Sequence, residues 1–383
     1  MPQGRTTRGH AALVAPLHVR QPAVTEQAPP EDGQFHLFGT PPPAAVPADA
    51  GQPASATPTR HRSRSEILPA HIDEHCQRLG AALPPNVRLG TSSWSYPGWN
   101  GIVYGDEYSD SRLSRHGLAA YSTHPLLRSV SIDRTFYAPL NIGDYARYAS
   151  QVPDAFRFTV KATSSITDAT VRGERGMPGE ANPCFLDAEL AQREFIEPCL
   201  QGLGHKAGAL VFQFPPLPDK WIADPAAFVQ RLQPFLDALP ALPDGVVYAV
   251  EIRDAILLTP RLMKALRAAG VRYCVGIHAR MPSVQRQAAA LALLDGDTPG
   301  PLVVRWNLHA GLKHQQAEAR YAPFDTMLDE DYDTREALSA LAARHARAGQ
   351  SVLITVSNNA EGCAPLSCIA LADAIVAHLA PPA

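Results

Sequence analysis

No two cysteines of this chain are spaced as C-x-x-C. Its six cysteines (Cys76, Cys184, Cys199, Cys274, Cys363, Cys368) are scattered singly. That distribution offers neither a zinc knuckle nor a redox pair. The stretch Met1-Pro2-Gln3-Gly4-Arg5 also lacks the apolar run of a secretory signal, so the expectation is a cytosolic protein with reduced thiols. No apolar stretch approaches the length of a membrane span. An excess of one charge is missing too: a formal net charge of -3 on 383 residues gives no bulk field for nucleic acid or membranes. No P-loop, no serine nucleophile elbow and no Gly-x-Gly-x-x-Gly after the first strand is found, which removes three common catalytic or cofactor-binding designs.

What the chain does have is unevenly placed. Eleven of its 36 prolines fall in the first 60 residues, among many alanines, with Phe35 and Phe38 the only aromatics there. Such a segment buries too little apolar area to offset its ordering entropy, so residues 1–63 are expected to be a disordered tail. One exception within it is Gln34-Phe35-His36-Leu37-Phe38, which resembles the peptide by which bacterial replication and repair proteins dock on the sliding clamp. Leu37 and Phe38 would enter an apolar groove while Gln34 makes polar contacts, the remaining alternative being that these side chains fold back on the body of the protein.

From residue 64 onward the pattern changes. Arg64 to Leu83 has Ile67, Leu68, Ile72, Cys76 and Leu79 near helical spacing and predicts a linker helix over 64–85, ended by Pro84-Pro85. Eight strand-like runs then alternate with helical ones. The strands begin at Val87, Leu127, Phe156, Ala209, Val246, Tyr273, Leu302 and Val352, and the last helix runs from about Pro365 to Leu379. Thr259, Pro260 and Gly270 mark one helix by N-cap, first turn and stop, and Asp333 with Gly349 marks another. Eight evenly spaced βα units predict a (β/α)8 TIM barrel over 86–383, in preference to a doubly wound open sheet.

Reactive groups of such a barrel gather where strands end. Lys161 ends the third strand, Gln213 the fourth, Glu251 and Arg253 the fifth, His278 the sixth, Arg305 and Asn307 the seventh, and Asn358-Asn359 the eighth. Residues two apart share a face of a strand. Lys161, Arg253 and Arg305 would suit a phosphate or carboxylate. Glu251 and His278 would serve as acid and base, and Trp94, Tyr96 and Tyr137 would stack on a sugar or base. The plain alternatives are a buried Glu251 ion pair, a Lys161 that caps the pore, a hydrogen-bonded core His278, and Gln213 and Asn358 that satisfy loop backbone. Glu251, His278, Asp133 and Asp254 make a thin ligand set for a metal, and none is assigned.

Gly90-Thr91-Ser92-Ser93-Trp94-Ser95-Tyr96 with Trp99 and Tyr104 opens a series of motifs. Thr135-Phe136-Tyr137, Phe158 to Lys161, Phe212-Gln213-Phe214-Pro215-Pro216, Glu251-Ile252-Arg253, Arg305 and Asn358-Asn359 follow in order. Together they resemble the YecE-like family of unknown function (domain of unknown function 72) across about Val87 to Leu379. The resemblance implies a TIM barrel of unsettled activity, and such folds bear a distant likeness to metal-dependent endonuclease barrels. Five positions depart from the family pattern: Ser131 for Glu, Asp133 for Asn, Asp168 for His, Leu257 for Trp and Asn307 for His.

Three readings follow for the mouth: a hydrolase or lyase on nucleotides or DNA, a non-catalytic binding module tethered to the clamp, or a structural ion-pair network. The 163–183 and 308–331 segments are candidate lids.

Overall fold

The computed structural model describes residues 66–172 and 178–380. The Gln34–Phe38 peptide therefore lies outside the described residues. Among the described residues ten strands are present: β1 Val87–Thr91, β2 Leu127–Ile132, β3 Arg157–Lys161, β4 Thr170–Arg172, β5 Pro178–Ala181, β6 Ala207–Gln213, β7 Val247–Glu251, β8 Arg272–Ile277, β9 Leu302–Trp306 and β10 Val352–Val356. Eight of them close into a parallel barrel in the order β1, β10, β9, β8, β7, β6, β3, β2. β4 and β5 form a separate antiparallel pair inside the 163–183 segment. This is the (β/α)8 barrel that the alternating pattern predicts. No helix among the described residues is long and apolar enough to cross a membrane.

Side chains alternate across each strand, so two chemically different faces result. Val130, Phe158, Val250, Val304 and Ile354 pack outward against the helices in the large core. Ala209, Val211, Ala249, Cys274, Val303 and Leu353 form a small second core inside the barrel. Two residues further along the same strands stand Gln213, Glu251 and Arg305, on the same inward line. Barrel closure thus converts period-two spacing into a polar layer above an apolar plug.

Several element boundaries differ from the sequence expectation. The first helix is Glu74–Ala82, much shorter than Arg64 to Leu83, because Asp73 caps it by accepting from the Cys76 amide. Pro69 instead forms an isolated bridge with Tyr104, so Ile67, Leu68 and Ile72 precede the helix. The Tyr332–Arg347 helix is capped by Asp331, which accepts from the Thr334 amide, not by Asp333. The expected single helix near Asp187 to Gln201 is broken into Ala188–Ala191 and Glu197–Leu203 by a π turn over Gln192–Ile196.

The 308–331 candidate lid is tied down at several points. In the 308–331 segment, the Leu328 amide donates to the Glu361 carbonyl at 2.8 Å and the Asp331 amide to Glu361 Oε1 at 2.8 Å. Glu361 is fully buried and also binds Arg335 Nη2 at 2.6 Å. Phe324 meets the Tyr96 ring edge-on at 5.6 Å. A Cβ on Gly98 would come within 1.9 Å of the Pro323 carbonyl oxygen, so glycine is what lets this segment approach the loop that follows β1.

Candidate functional site at the carboxyl end of the barrel

Six of the residues expected at the mouth converge on one cleft. Lys161, Gln213, Arg253, Arg305, Asn307 and Tyr137 line it with Phe136 and His314. Strand ends place them there: Lys161 and Gln213 are the last residues of β3 and β6, and Arg253 and Asn307 lie just past β7 and β9. The cleft is closed to about 10 Å³. That is room for about one water-sized group.

Glu251 organises the floor. It is fully buried and accepts from Arg305 Nη1 at 2.8 Å and from Asn307 Nδ2 at 3.2 Å. Arg253 Nη2 stands 3.0 Å from Oε1, the oxygen that Asn307 also reaches. Burial alone would raise the Glu251 pKa, but Arg253 and Arg305, with Lys161, outweigh that and hold it below the ordinary carboxylate value. Glu251 is therefore ionised at neutral pH and its lone pairs face donors, which suits a fixed counter-charge better than a proton donor. Gly276 gives it room, since a Cβ there would sit 3.2 Å from Oε1.

Arg305 also pairs with Asp133 through Nη2, and Ser131 Oγ donates to the other Asp133 oxygen. Burial pulls the Arg305 pKa down, and Asp133 and Glu251 more than reverse it. Three departures from the family pattern, Ser131, Asp133 and Asn307, thus sit directly on this network. A fourth, Asp168, accepts from the Thr170 amide at 3.2 Å at the start of β4 and belongs to the hairpin. Lys161 Nζ lies 3.7 Å from the Phe136 ring centroid, a cation–π contact.

The other expected residues lie apart from this cleft. Trp94 lines an adjoining one with Ser93, Ser95, Ser131, Asp133 and Tyr148. Tyr96 packs on Trp99 at 4.8 Å and on Phe324, away from Lys161 and Arg253. Asn358 accepts from the Ala364 amide at 2.8 Å and from Trp99 Nε1 at 3.3 Å, so its oxygen joins the first aromatic loop to the last helix. His278 is buried with its ring 5.7 Å from that of His314. His314, in the 308–331 segment, is the lining residue that sequence reasoning missed. It opens the His314–Tyr321 helix and has no periodic or motif cue.

The family model described as "Protein of unknown function DUF72" matches residues 88–382. Among solved structures, a DUF72 family protein from Enterococcus faecalis V583 is similar at 19% identity and a TM-score of 0.47, covering 76% of this chain and 95% of that one. A DUF72 family protein from Thermotoga maritima MSB8 is similar at 18% identity and a TM-score of 0.49, covering 75% and 98%. A putative alpha-galactosidase from Bacteroides fragilis is similar at 12% identity and a TM-score of 0.37, covering 78% and 60%. No curated protein matches the chain. With its barrel closed and the family model matched from the second residue of β1 to beyond the last helix, this chain belongs to the DUF72 family of proteins of unknown function.

Proposed function

We propose that the mouth recognises a small anion, in the form of a phosphate-bearing ligand such as a nucleotide or a segment of nucleic acid. The observation that carries this reading is the convergence of Lys161, Arg253, Arg305 and Gln213 on a single cleft, with both arginines paired to the buried Glu251 carboxylate behind its wall. Guanidinium and ammonium groups held by strand ends and by buried carboxylates are already oriented when an anion arrives. Because the cleft is closed, entry requires the half-exposed Tyr137 or a neighbouring segment to move aside. In this reading Glu251 and Asp133 position the arginines, and Lys161, Arg253 and Gln213 face the ligand. Thermal melting with inorganic phosphate and pyrophosphate tests it. Both should raise the melting temperature of the wild type by clearly more than that of Arg253→Gln. No shift in the wild type removes the reading.

A catalytic reading, a hydrolase or lyase on the same class of ligand, has the His278–His314 pair in its favour. Imidazoles carry protons near neutrality, and His314 lines the cleft. Turnover of a phosphorylated substrate that survives Glu251→Gln but is lost in His314→Asn would support it. Equal turnover in His314→Asn would exclude that histidine.

The Gln34–Phe38 peptide is proposed separately, on its sequence, as a sliding-clamp docking segment. Equilibrium binding of the full chain to the bacterial clamp should be lost on Leu37→Ala with Phe38→Ala. Absence of binding by the wild type ends that proposal.

A further inference from the structure

The opposite rim of the barrel, where β1, β2 and β3 begin, carries a cleft of about 430 Å³. That volume lies within the roughly 300–1,000 Å³ of small-molecule sites. Leu83, Pro85, Leu127 and Phe156 make much of its wall apolar, and Arg88 and Arg128 supply its fixed charge. No carboxylate lines it among the described residues. A third arginine, Arg157, opens β3 directly after Phe156.

The three guanidiniums are committed to different degrees. Arg128 is largely structural: Nε donates to the Pro125 carbonyl at 3.0 Å, Nη1 to those of Leu83 and Pro84, and Nη2 to that of Gly80. Arg157 Nη1 donates to the Asp154 and Phe156 carbonyls at 2.7 and 2.8 Å. Arg88 differs. Only its Nε is engaged, at 3.1 Å from the Ala155 carbonyl, so neither Nη group has a protein acceptor among the described residues. Burial, then the charges of Arg157 and Arg128, lower its pKa from the usual arginine value. Like charges crowded in a half-buried place destabilise one another unless something negative joins them.

We propose that this cleft is a second anion site, which takes a phosphate monoester with an aromatic or aliphatic body. The Arg88 Nη groups receive the phosphate, Arg157 and Arg128 supply field, and the apolar wall takes the body. A phosphate dianion suits three cations better than a carboxylate does, having twice the charge and acceptors in several directions. This face of a barrel usually serves stability rather than ligands, so the site is distinct from the mouth in both place and purpose. An effector role fits that position.

Calorimetric titration of phenyl phosphate into the full chain tests the proposal, with Arg88→Gln, Arg88→Lys and Arg253→Gln as variants and inorganic phosphate as a second probe. A saturable event should appear that weakens about tenfold or more in Arg88→Gln, partly recovers in Arg88→Lys and is unchanged in Arg253→Gln. Inorganic phosphate should bind there more weakly than phenyl phosphate. Should Arg88→Gln fail to fold, Arg157→Gln replaces it, with the same weakening expected. No saturable binding at millimolar concentration, or binding insensitive to residues 88 and 157, overturns the proposal. If the only saturable event is one lost in Arg253→Gln, it belongs to the mouth and likewise overturns the proposal.

Discussion

Replacing Glu251 by Gln preserves shape and removes one buried negative charge. In the wild type that charge faces Arg305 at 2.8 Å and Arg253 at 3.0 Å, with the carboxylate fully buried. Deleting one member of a buried ion pair ordinarily costs about 3–5 kcal/mol, because the partner stays charged and dry. Arg305 retains Asp133, so the lower end, about 3 kcal/mol, is expected. For a barrel of this size that corresponds to a melting temperature lower by roughly 4–6 °C at pH 7. The sign of the pH dependence is fixed as well. The folded pKa of Glu251 is depressed, so its stabilisation is complete above the unfolded value of 4.5 and lost as pH falls through the lower folded value. Thermal melts of wild type and variant from pH 7 downward should run parallel above about pH 5 and converge below it. A variant that melts with the wild type at pH 7, or a gap that widens in acid, refutes the network as described.

Other perturbations probe its neighbours. Gly276→Ala puts a methyl group 3.2 Å from Glu251 Oε1, and urea unfolding should show a loss of about 1–3 kcal/mol from the strained carboxylate. His124 is buried, and burial lowers its pKa to about 4, so it favours the folded state only while neutral. That stabilisation is full above the unfolded value of 6.5 and declines as pH falls toward 4, by about 3 kcal/mol over the window. His124→Asn, which keeps an acceptor for the Leu126 amide, should flatten the stability-against-pH curve there; an unchanged slope assigns the acid sensitivity elsewhere. Glu361→Gln should cost about 3 kcal/mol and speed hydrogen exchange at the Asp331 amide, which binds Glu361 Oε1. Unaltered exchange would mean that other contacts hold the 308–331 segment.

The strands were the most legible part of the sequence. Leu302–Trp306 and Val352–Val356 coincide with expectation because each is a short, mostly apolar run broken only by Arg305 or Thr355, as parallel strands buried on both faces require. The mouth followed by counting: two-residue spacing past β7 and β9 put Glu251 with Arg253, and Arg305 with Asn307, on inward faces. Helix starts were less legible, since Asp331 and Asp333 are equally good caps by composition and only the backbone decides between them. His314 and Glu361 were hidden for another reason. Their positions arise from a long segment folding back over β1 and β10, and no local pattern encodes which distant side chain they will meet. Tyr96 and Asn358 lie apart from the Lys161 cleft because nearness to a strand end does not fix the direction of a side chain.

Diffraction from a crystal soaked in tungstate, a tetrahedral dianion that stands in for phosphate, tests the anion-binding mouth most directly. The account predicts anomalous density within hydrogen-bonding distance of Arg253 and Lys161, lost in Arg253→Gln crystals. Full accessibility of the cleft to tungstate with no density beside Arg253 would contradict it, and would leave the Glu251 network as a purely structural device.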